Sequence, residues 1–499
     1  MTAVSTELTT YQMFINGEWV DAASGQSFES LNPYTGQAWA MIPDGQEQDV
    51  DRAVEAARQA LDHPDWKRMP PMQRGHLLRR FADLLQEHAE HLGHVETRDN
   101  GKLIREMLGQ ARALPSYYYY YAGLADKILG DTIPLENTSV FNYTLREPVG
   151  VVGIITPWNS PLLILSFSLA AALATGNTVV VKPSEHTSAS TLEFAKLVQE
   201  AGFPPGVFNV VTGFGKMAGG ALVRHPGVNK IVFTGGAETG KVIAQLAASH
   251  ITPVLLELGG KSPNIIFDDA TMPNAVNGCI AGIFAASGQT CIAGSRLFLH
   301  AKVHDAFVER LVERTKRIKL GDPSSMASEM GPMATTDQLH KVQGFVDGAI
   351  NDGAELVYGG KRPDAPELRQ GWFFMPTIFD GVRNDMDLAQ EEVFGPVLGV
   401  LKFHDEEELI ALANQTRYGL AAGIWTNDIK RAHRVARDLK AGTVWINTYR
   451  AVSYASPFGG YKQSGYGREM GLEAIREFTQ VKSVWVDLAD TVPDPFALR

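Results

Sequence analysis

Cysteine is nearly missing from this chain: Cys279 and Cys291 are the only two in 499 residues. Two thiols cannot build a disulfide framework, so the fold must rest on its apolar core, and a reducing compartment is expected. Positive charge is also in deficit. Lys and Arg total 45 against 56 Asp and Glu, a net charge of −11. That balance disfavours nucleic acid and anionic membrane as partners. Long apolar runs are missing too. The most apolar stretch, residues 161–175, is broken by Ser166 and Ser168 and is too short to span a bilayer. The opening residues, MTAVSTELTTYQMFINGEWV, have no basic segment leading into an apolar one. No signal peptide and a cytoplasmic location are therefore expected. Repeats and low-complexity segments are absent as well.

What is present is an ordinary globular composition, 44% apolar and 20% charged. The length exceeds what one core supports, so two or three domains are expected. Strand and helix signals alternate. The β-branched run 149–155 reads as a buried strand, 161–174 as a helix ended by Gly176, and 178–181 as the next strand. The same alternation gives a helix over 188–200, strands over 207–211 and 230–233, and a helix over 239–250. This repetition predicts an α/β fold with a parallel sheet wound on both faces. A second α/β unit follows residue 257, with helices over 304–318 and 337–352 and a buried strand over 443–447. Residues 139–146 and 482–486 alternate as half-exposed strands. They are candidates for edge pairing between subunits, with a local hairpin as the alternative. The tyrosine run 117–121 reads as a partly buried helical turn.

Three residues stand out chemically. Cys291 ends the polar loop Ser287-Gly288-Gln289-Thr290, which can expose a sulfur beside free backbone N–H groups. A thiolate there could add to a carbonyl carbon. Cys279 lies among small apolar residues and reads as packing. Glu257 is flanked by Val254-Leu255-Leu256 and Leu258-Gly259-Gly260. Burial would lift its pKa toward that of a general base; a buried salt bridge to Lys261 is the alternative. Asn159, between Pro157 and Pro161, falls where a strand hands over to a helix. Its amide could donate to an oxyanion, or it could cap the helix.

Together these segments resemble the aldehyde dehydrogenase superfamily. The matching motifs are Thr156-Pro157-Trp158-Asn159, Phe233-Thr234-Gly235, Glu257-Leu258-Gly259-Gly260-Lys261-Ser262-Pro263, Gly288-Gln289-Thr290-Cys291, Glu391-Glu392-Val393-Phe394-Gly395-Pro396 and Ser456-Pro457-Phe458-Gly459-Gly460. They occur in the family's order across nearly the whole chain. The resemblance implies an α/β fold with a Rossmann-type cofactor domain (1–125 and 149–258), a second α/β catalytic domain (259–478) and a small β oligomerisation element (126–148 and 479–499). It implies a homodimer or homotetramer acting on a small aldehyde. Cys291 would attack the aldehyde, its own N–H and Asn159 would hold the oxyanion, and Glu257 would activate the water that hydrolyses the thioester.

The resemblance places the cofactor against Thr156, Trp158, Lys182, Glu185, Gly215, Gly235, Gly236, Gly259, Glu392 and Phe394, with no metal. Glu392 would bind the nicotinamide ribose, and Phe394 would pack near the nicotinamide. Lys182 and Glu185 would face the adenosine ribose, and Glu185 would repel a 2′-phosphate, favouring NAD over NADP. Gly213-Phe214-Gly215-Lys216-Met217-Ala218 fits a loose dinucleotide pattern but would lie beside the adenine. The pyrophosphate would instead meet the helix start at Gly235-Gly236. Many relatives have serine where this chain has Gly236, so a hydroxyl contact is lost.

The family's substrate tunnel would be lined by Ser160, Leu163, Ile164 and Phe167, by Thr290 and Ile292, and by 449–454, including Arg450 and Tyr454. Arg450 could clamp a carboxylate, or it could pair with a surface acid or face a subunit boundary. Tyr449, Tyr454 and Trp158 would supply flat walls. A semialdehyde, or a polar or cyclic aldehyde, is the expected substrate. Acyl transfer to coenzyme A and a non-catalytic binding role are the rival functions; Glu257, Cys291 and Asn159 argue against both.

Overall fold

The computed structural model describes residues 8–491 and 494–496. The first seven residues, on which the signal-peptide expectation falls, and part of the C-terminal stretch assigned to oligomerisation lie outside the described residues.

One sheet has eight strands, in the order Gly465–Tyr466, Val254–Glu257, Lys230–Thr234, Val151–Ile155, Thr178–Lys182, Phe208–Val210, Met13–Ile15, Glu18–Val20. The five strands from Val254–Glu257 to Phe208–Val210 run parallel. The outer strands are antiparallel additions. Strand residues alternate between two cores. Val152 and Ile154 pack into one apolar cluster, Val151 and Ile155 into another. Both faces are therefore covered, which is why these strands read as continuous apolar runs. The strand Gly465–Tyr466 returns from late in the chain to close this sheet beside Glu257.

The second sheet has seven strands, ordered Glu355–Tyr358, Thr377–Asp380, Val397–Phe403, Arg296–His300, Pro263–Ile266, Ala421–Trp425, Thr443–Ile446. All pairs are parallel except the first.

The expected helices form with small shifts at their ends. Pro161–Ala174 matches its expected bounds, with Pro161 at the first position and Gly176 turning beyond it at φ 91°. Ala189–Ala201, His304–Thr315 and Thr336–Asn351 stand where the periodicity put them. The helix expected to begin at residue 239 begins at Ala237 and ends at Ala247. The loop at 213–216 winds into a π-helical turn, Gly215–Gly219. Tyr117, Tyr118 and Tyr121 are buried on the helix Ile104–Leu124. Cys279 is buried.

The two half-exposed strands depart from expectation. Val140–Pro148 and Thr479–Asp487 pair with each other, antiparallel, from Val140↔Asp487 to Pro148↔Thr479. No local hairpin is formed, and Thr479–Asp487 stands at the edge of this sheet. Thr132–Ile133 adds a third strand. Among the described residues no helix is long and apolar enough to cross a membrane.

Candidate active site

The site forms at the carboxyl ends of the parallel strands, where α/β sheets open a crevice. Strand Val151–Ile155 runs into Thr156-Pro157-Trp158-Asn159, and Val254–Glu257 ends on Glu257 itself. One cavity of about 200 Å³ is lined by Trp158, Asn159, Glu257, Gly259, Cys291, Glu392 and Phe394, among others. Residues from six segments of the chain thus meet there.

Cys291 is half-buried. Its loop is strained into the left-handed region at Ala286 (φ 56°) and Ser287 (φ 53°), a conformation that costs free energy and must be held by its surroundings. Glu106 accepts from the Ala286 N–H at 2.7 Å, and Ser287 Oγ donates to the Gly331 carbonyl at 2.8 Å. The Gln289 amide bridges Ala334 N (2.8 Å) and the Pro332 carbonyl (3.3 Å). Gly260 lets the nucleophile loop come close: a Cβ there would lie 2.5 Å from the Cys291 carbonyl oxygen. Burial, with the charges of Glu392 and Glu257, pushes the thiol up to about 12.

Asn159 does not cap the helix. Ser160 occupies the cap position without a side-chain cap bond, and Glu96 Oε1 accepts from Leu162 N at 3.1 Å. The Asn159 amide instead donates to the Gln289 carbonyl at 3.1 Å, two residues before the sulfur. Glu257 is 3% exposed, and neither carboxylate oxygen has a hydrogen-bond partner. Burial raises its pKa well above the usual carboxylate range, Glu469 and Glu477 add to the rise, and Arg468 opposes it. The salt bridge to Lys261 does not form: the Lys261 Nζ is itself unpartnered and lines a different cavity beside Arg296. A buried acid with no partner beside a thiol is a costly arrangement for packing alone.

A second cleft of about 790 Å³ adjoins the first. Thr156, Trp158, Lys182, Glu185, Gly215, Gly235 and Gly236 all line it. Lys182 Nζ donates to Glu185 at 3.0 Å, and Gly215 N–H reaches the same carboxylate at 3.5 Å. Thr156 Oγ1 is buried without a partner. Gly236 stands at the N-cap of the Ala237–Ala247 helix with open space where a Cβ would go. Its missing hydroxyl is thus no steric requirement. Gly235 is one: a Cβ there would lie 2.4 Å from the Phe233 ring.

Glu392 accepts from Gly260 N at 3.1 Å, and a Cβ on Gly259 would lie 2.2 Å from its other oxygen. Burial lifts this carboxyl to about 7, against the pull of the Gly260 N–H and of Lys341. Phe394 sits at φ 57° with its ring edge-on to Trp158, 5.2 Å between centroids. Gln338 Nε2 holds that backbone through the Val393 and Phe394 carbonyls, at 2.8 and 2.9 Å. Gln338 and Lys341 line the cavity and were missed in sequence; both lie on an amphipathic helix whose polar face looks like an ordinary solvated one.

The expected substrate residues are less well gathered. Ile164 lines the Cys291 cavity, but Phe167, Thr290, Arg450 and Tyr454 do not. Phe167 stacks on Tyr117 at 5.5 Å, and Tyr454 packs against Tyr117 and Tyr120 at 6.0 and 5.3 Å. Tyr449 is a support rather than a wall: its hydroxyl donates to the Ile292 carbonyl at 3.0 Å and its ring packs on Trp445. Trp158 faces Phe394 and the larger cleft. Arg450 sits at φ 65° and donates to the Ala281 carbonyl at 3.2 Å, with no ion pair among the described residues.

Comparison with known proteins identifies the family. Residues 19–484 match the model of the aldehyde dehydrogenase family. The (Z)-2-((N-methylformamido)methylene)-5-hydroxybutyrolactone dehydrogenase of Acinetobacter baylyi is 47% identical, over 98% of this chain and 99% of its own. Betaine aldehyde dehydrogenase of Bacillus subtilis is 44% identical over 95% and 96% of the two chains. A structure of Staphylococcus aureus betaine aldehyde dehydrogenase with NAD+ superposes with a TM-score of 0.97 at 41% identity, covering 99% of this chain and 100% of that one. An NAD+ complex of an aldehyde dehydrogenase from Bacillus cereus gives 0.94 at 48% identity, covering 96% and 97%. The chain belongs to the aldehyde dehydrogenase family and is an NAD(P)-dependent aldehyde dehydrogenase.

Proposed function

We propose that this enzyme oxidises an aldehyde to a carboxylic acid through a thioester on Cys291, which water activated by Glu257 then hydrolyses. The observation that carries this reading is the unpartnered Glu257 carboxylate in the same cavity as Cys291 and Asn159. The Cys291 thiolate adds to the carbonyl carbon, and the oxygen takes up the negative charge. The Asn159 amide and the Cys291 N–H receive that charge. NAD, when bound, supplies the hydride acceptor. Loss of hydride from the carbonyl carbon leaves an acyl group on sulfur. Glu257 then takes a proton from water, the oxygen attacks the thioester, and the thiolate leaves. A chain that passes its acyl group to coenzyme A has no need of such a base.

The nucleotide fits the larger cleft. Lys182 and Glu185 are set for the adenosine ribose, the buried Thr156 hydroxyl lacks a partner, and the helix N-terminus at Gly236 offers N–H groups to phosphate. The Glu185 carboxylate repels a 2′-phosphate, which favours NAD over NADP. Glu392 is set for the nicotinamide ribose and Phe394 for the ring. We assign residues 1–125 and 149–258 to the cofactor domain, 259–478 to the catalytic domain, and 126–148 with 479–499 to oligomerisation. The last sheet exposes Phe141, Val481 and Trp485, an apolar surface suited to a homodimer or homotetramer.

The substrate is a semialdehyde or a polar, cyclic aldehyde. A 5-hydroxybutyrolactone, the compound class named for the Acinetobacter baylyi relative, is the ring-closed form of an oxo acid. Arg450, with no acid partner among the described residues, suits the carboxylate of the open form. Arg450→Ala is expected to raise KM for a 4-oxo acid far more than for a simple alkyl aldehyde. Equal effects on both would refute this substrate class.

A further inference from the structure

Lys102 has no part in the chemistry described so far, yet it lies beneath it. It is 2% exposed. Its Nζ donates to Ser160 Oγ at 3.0 Å, the residue after the oxyanion amide. Its own N–H donates to Asn100 Oδ1 at 2.9 Å, and Asn100 Nδ2 reaches the Asn159 carbonyl at 3.5 Å. Between them Gly101 turns at φ 74°, where a Cβ would lie 2.9 Å from Pro33 and Pro332. One tight turn therefore holds the Asn159 loop and delivers a buried ammonium to it.

Among the described residues that ammonium closes no ion pair. Glu96 on the helix Ala89–Asn100 and Glu106 on the helix Ile104–Leu124 face it, but each leaves one carboxylate oxygen unpartnered. Arg450 and Cys291 are the other charged or titratable groups around it. Burial pulls Lys102 down to about 8, Glu106 and Glu96 hold it up, and Arg450 opposes them. A buried cation with one hydroxyl partner destabilises the fold unless something else requires it. The neighbouring thiol is pushed toward its neutral form by burial and two carboxylates, and Lys102 acts in the opposite sense.

We infer that Lys102 is a positioning residue for the reaction: its ammonium, tethered by Ser160, stabilises the negative charge on Cys291 Sγ and holds the Asn159 loop that receives the charge next. This rests on Cys291 being the nucleophile. A merely structural lysine would leave the titration of the thiol alone, whereas a nearby cation favours the thiolate.

The test is the rate of Cys291 alkylation by iodoacetamide against pH, on the full chain without cofactor, with the labelled peptide identified by mass. Lys102→Met is expected to move the profile up by about one pH unit, slowing alkylation about tenfold at fixed neutral pH. Lys102→Arg should restore most of that, and NAD binding should be unchanged in both. Ser160→Ala, which keeps the charge but cuts its tether, should give a smaller upward move. An unshifted profile in folded Lys102→Met would overturn the inference, as would Lys102→Arg behaving like Lys102→Met. If Lys102→Met does not fold, an unshifted Ser160→Ala overturns it. A label found on a residue other than Cys291 would instead overturn the assignment of the nucleophile.

Discussion

Gly259→Ala isolates the contribution of Glu392. The added Cβ would lie 2.2 Å from one carboxylate oxygen and 2.6 Å from its carbon. Contacts under 3.0 Å are not tolerated, so the carboxylate must retreat by at least 0.8 Å (3.0 − 2.2). It is the end of a flexible side chain, so it moves and the backbone stays. Its bond from Gly260 N, now 3.1 Å, is lost or badly lengthened. A buried N–H left unpaired costs about 1–3 kcal/mol, and a charged contact to a ribose hydroxyl contributes about 1.5–3 kcal/mol. Loss of that ribose contact should lower kcat/KM for NAD by about 10- to 150-fold, at roughly 1.4 kcal/mol per tenfold. Initial rates with varied NAD and a fixed saturating aldehyde measure it. Gly236→Ser is the matched control: nothing lies within 4 Å of its Cβ, so folding and NAD use should survive, and the hydroxyl should strengthen binding. A folded Gly259→Ala enzyme with unchanged kinetics for NAD would refute the role given to Glu392.

Two further substitutions probe the site. Asn159→Ala should lower kcat by about 10²–10³, the usual loss for one oxyanion donor, with little change in NAD affinity in initial-rate assays. Glu185→Gln removes the charge facing the ribose while keeping an acceptor for Lys182; the ratio of kcat/KM for NADP to that for NAD should rise, and a fall would contradict the repulsion argument.

Much of this was legible in the sequence. Val151–Ile155 and Pro161–Ala174 announced themselves because a doubly covered strand is a β-branched run and a buried helix starts at proline and stops near glycine. The apolar flanks of Glu257 foretold its burial. Local pattern could not choose between a base and a salt bridge, since that depends on where Lys261 points. Nor could it pair Val140–Pro148 with Thr479–Asp487, because the register links opposite ends of the chain. Glu96 and Glu106 look like ordinary helix charges, and Lys102 like one in the turn between those two helices; only packing brings Glu96 and Lys102 against the segment after Asn159 and Glu106 against the nucleophile loop. Tyr449 misled for the converse reason: an aromatic near a tunnel motif can serve as the floor beneath glycines as readily as a wall.

The central claim is that one acid, Glu257, separates acyl transfer to sulfur from release to water. Rapid mixing of enzyme, NAD and a semialdehyde, following NADH and the protein mass together, tests it. Because burial raises the Glu257 pKa, the carboxylate needed as base is depleted as pH falls, so deacylation should slow toward acid and quicken as pH rises through that value. Glu257→Gln should give a burst of about one NADH per site, then near arrest, with the acyl mass held on Cys291 and no acid-side titration left. Steady turnover by Glu257→Gln at the native rate and with the native pH dependence would contradict the account.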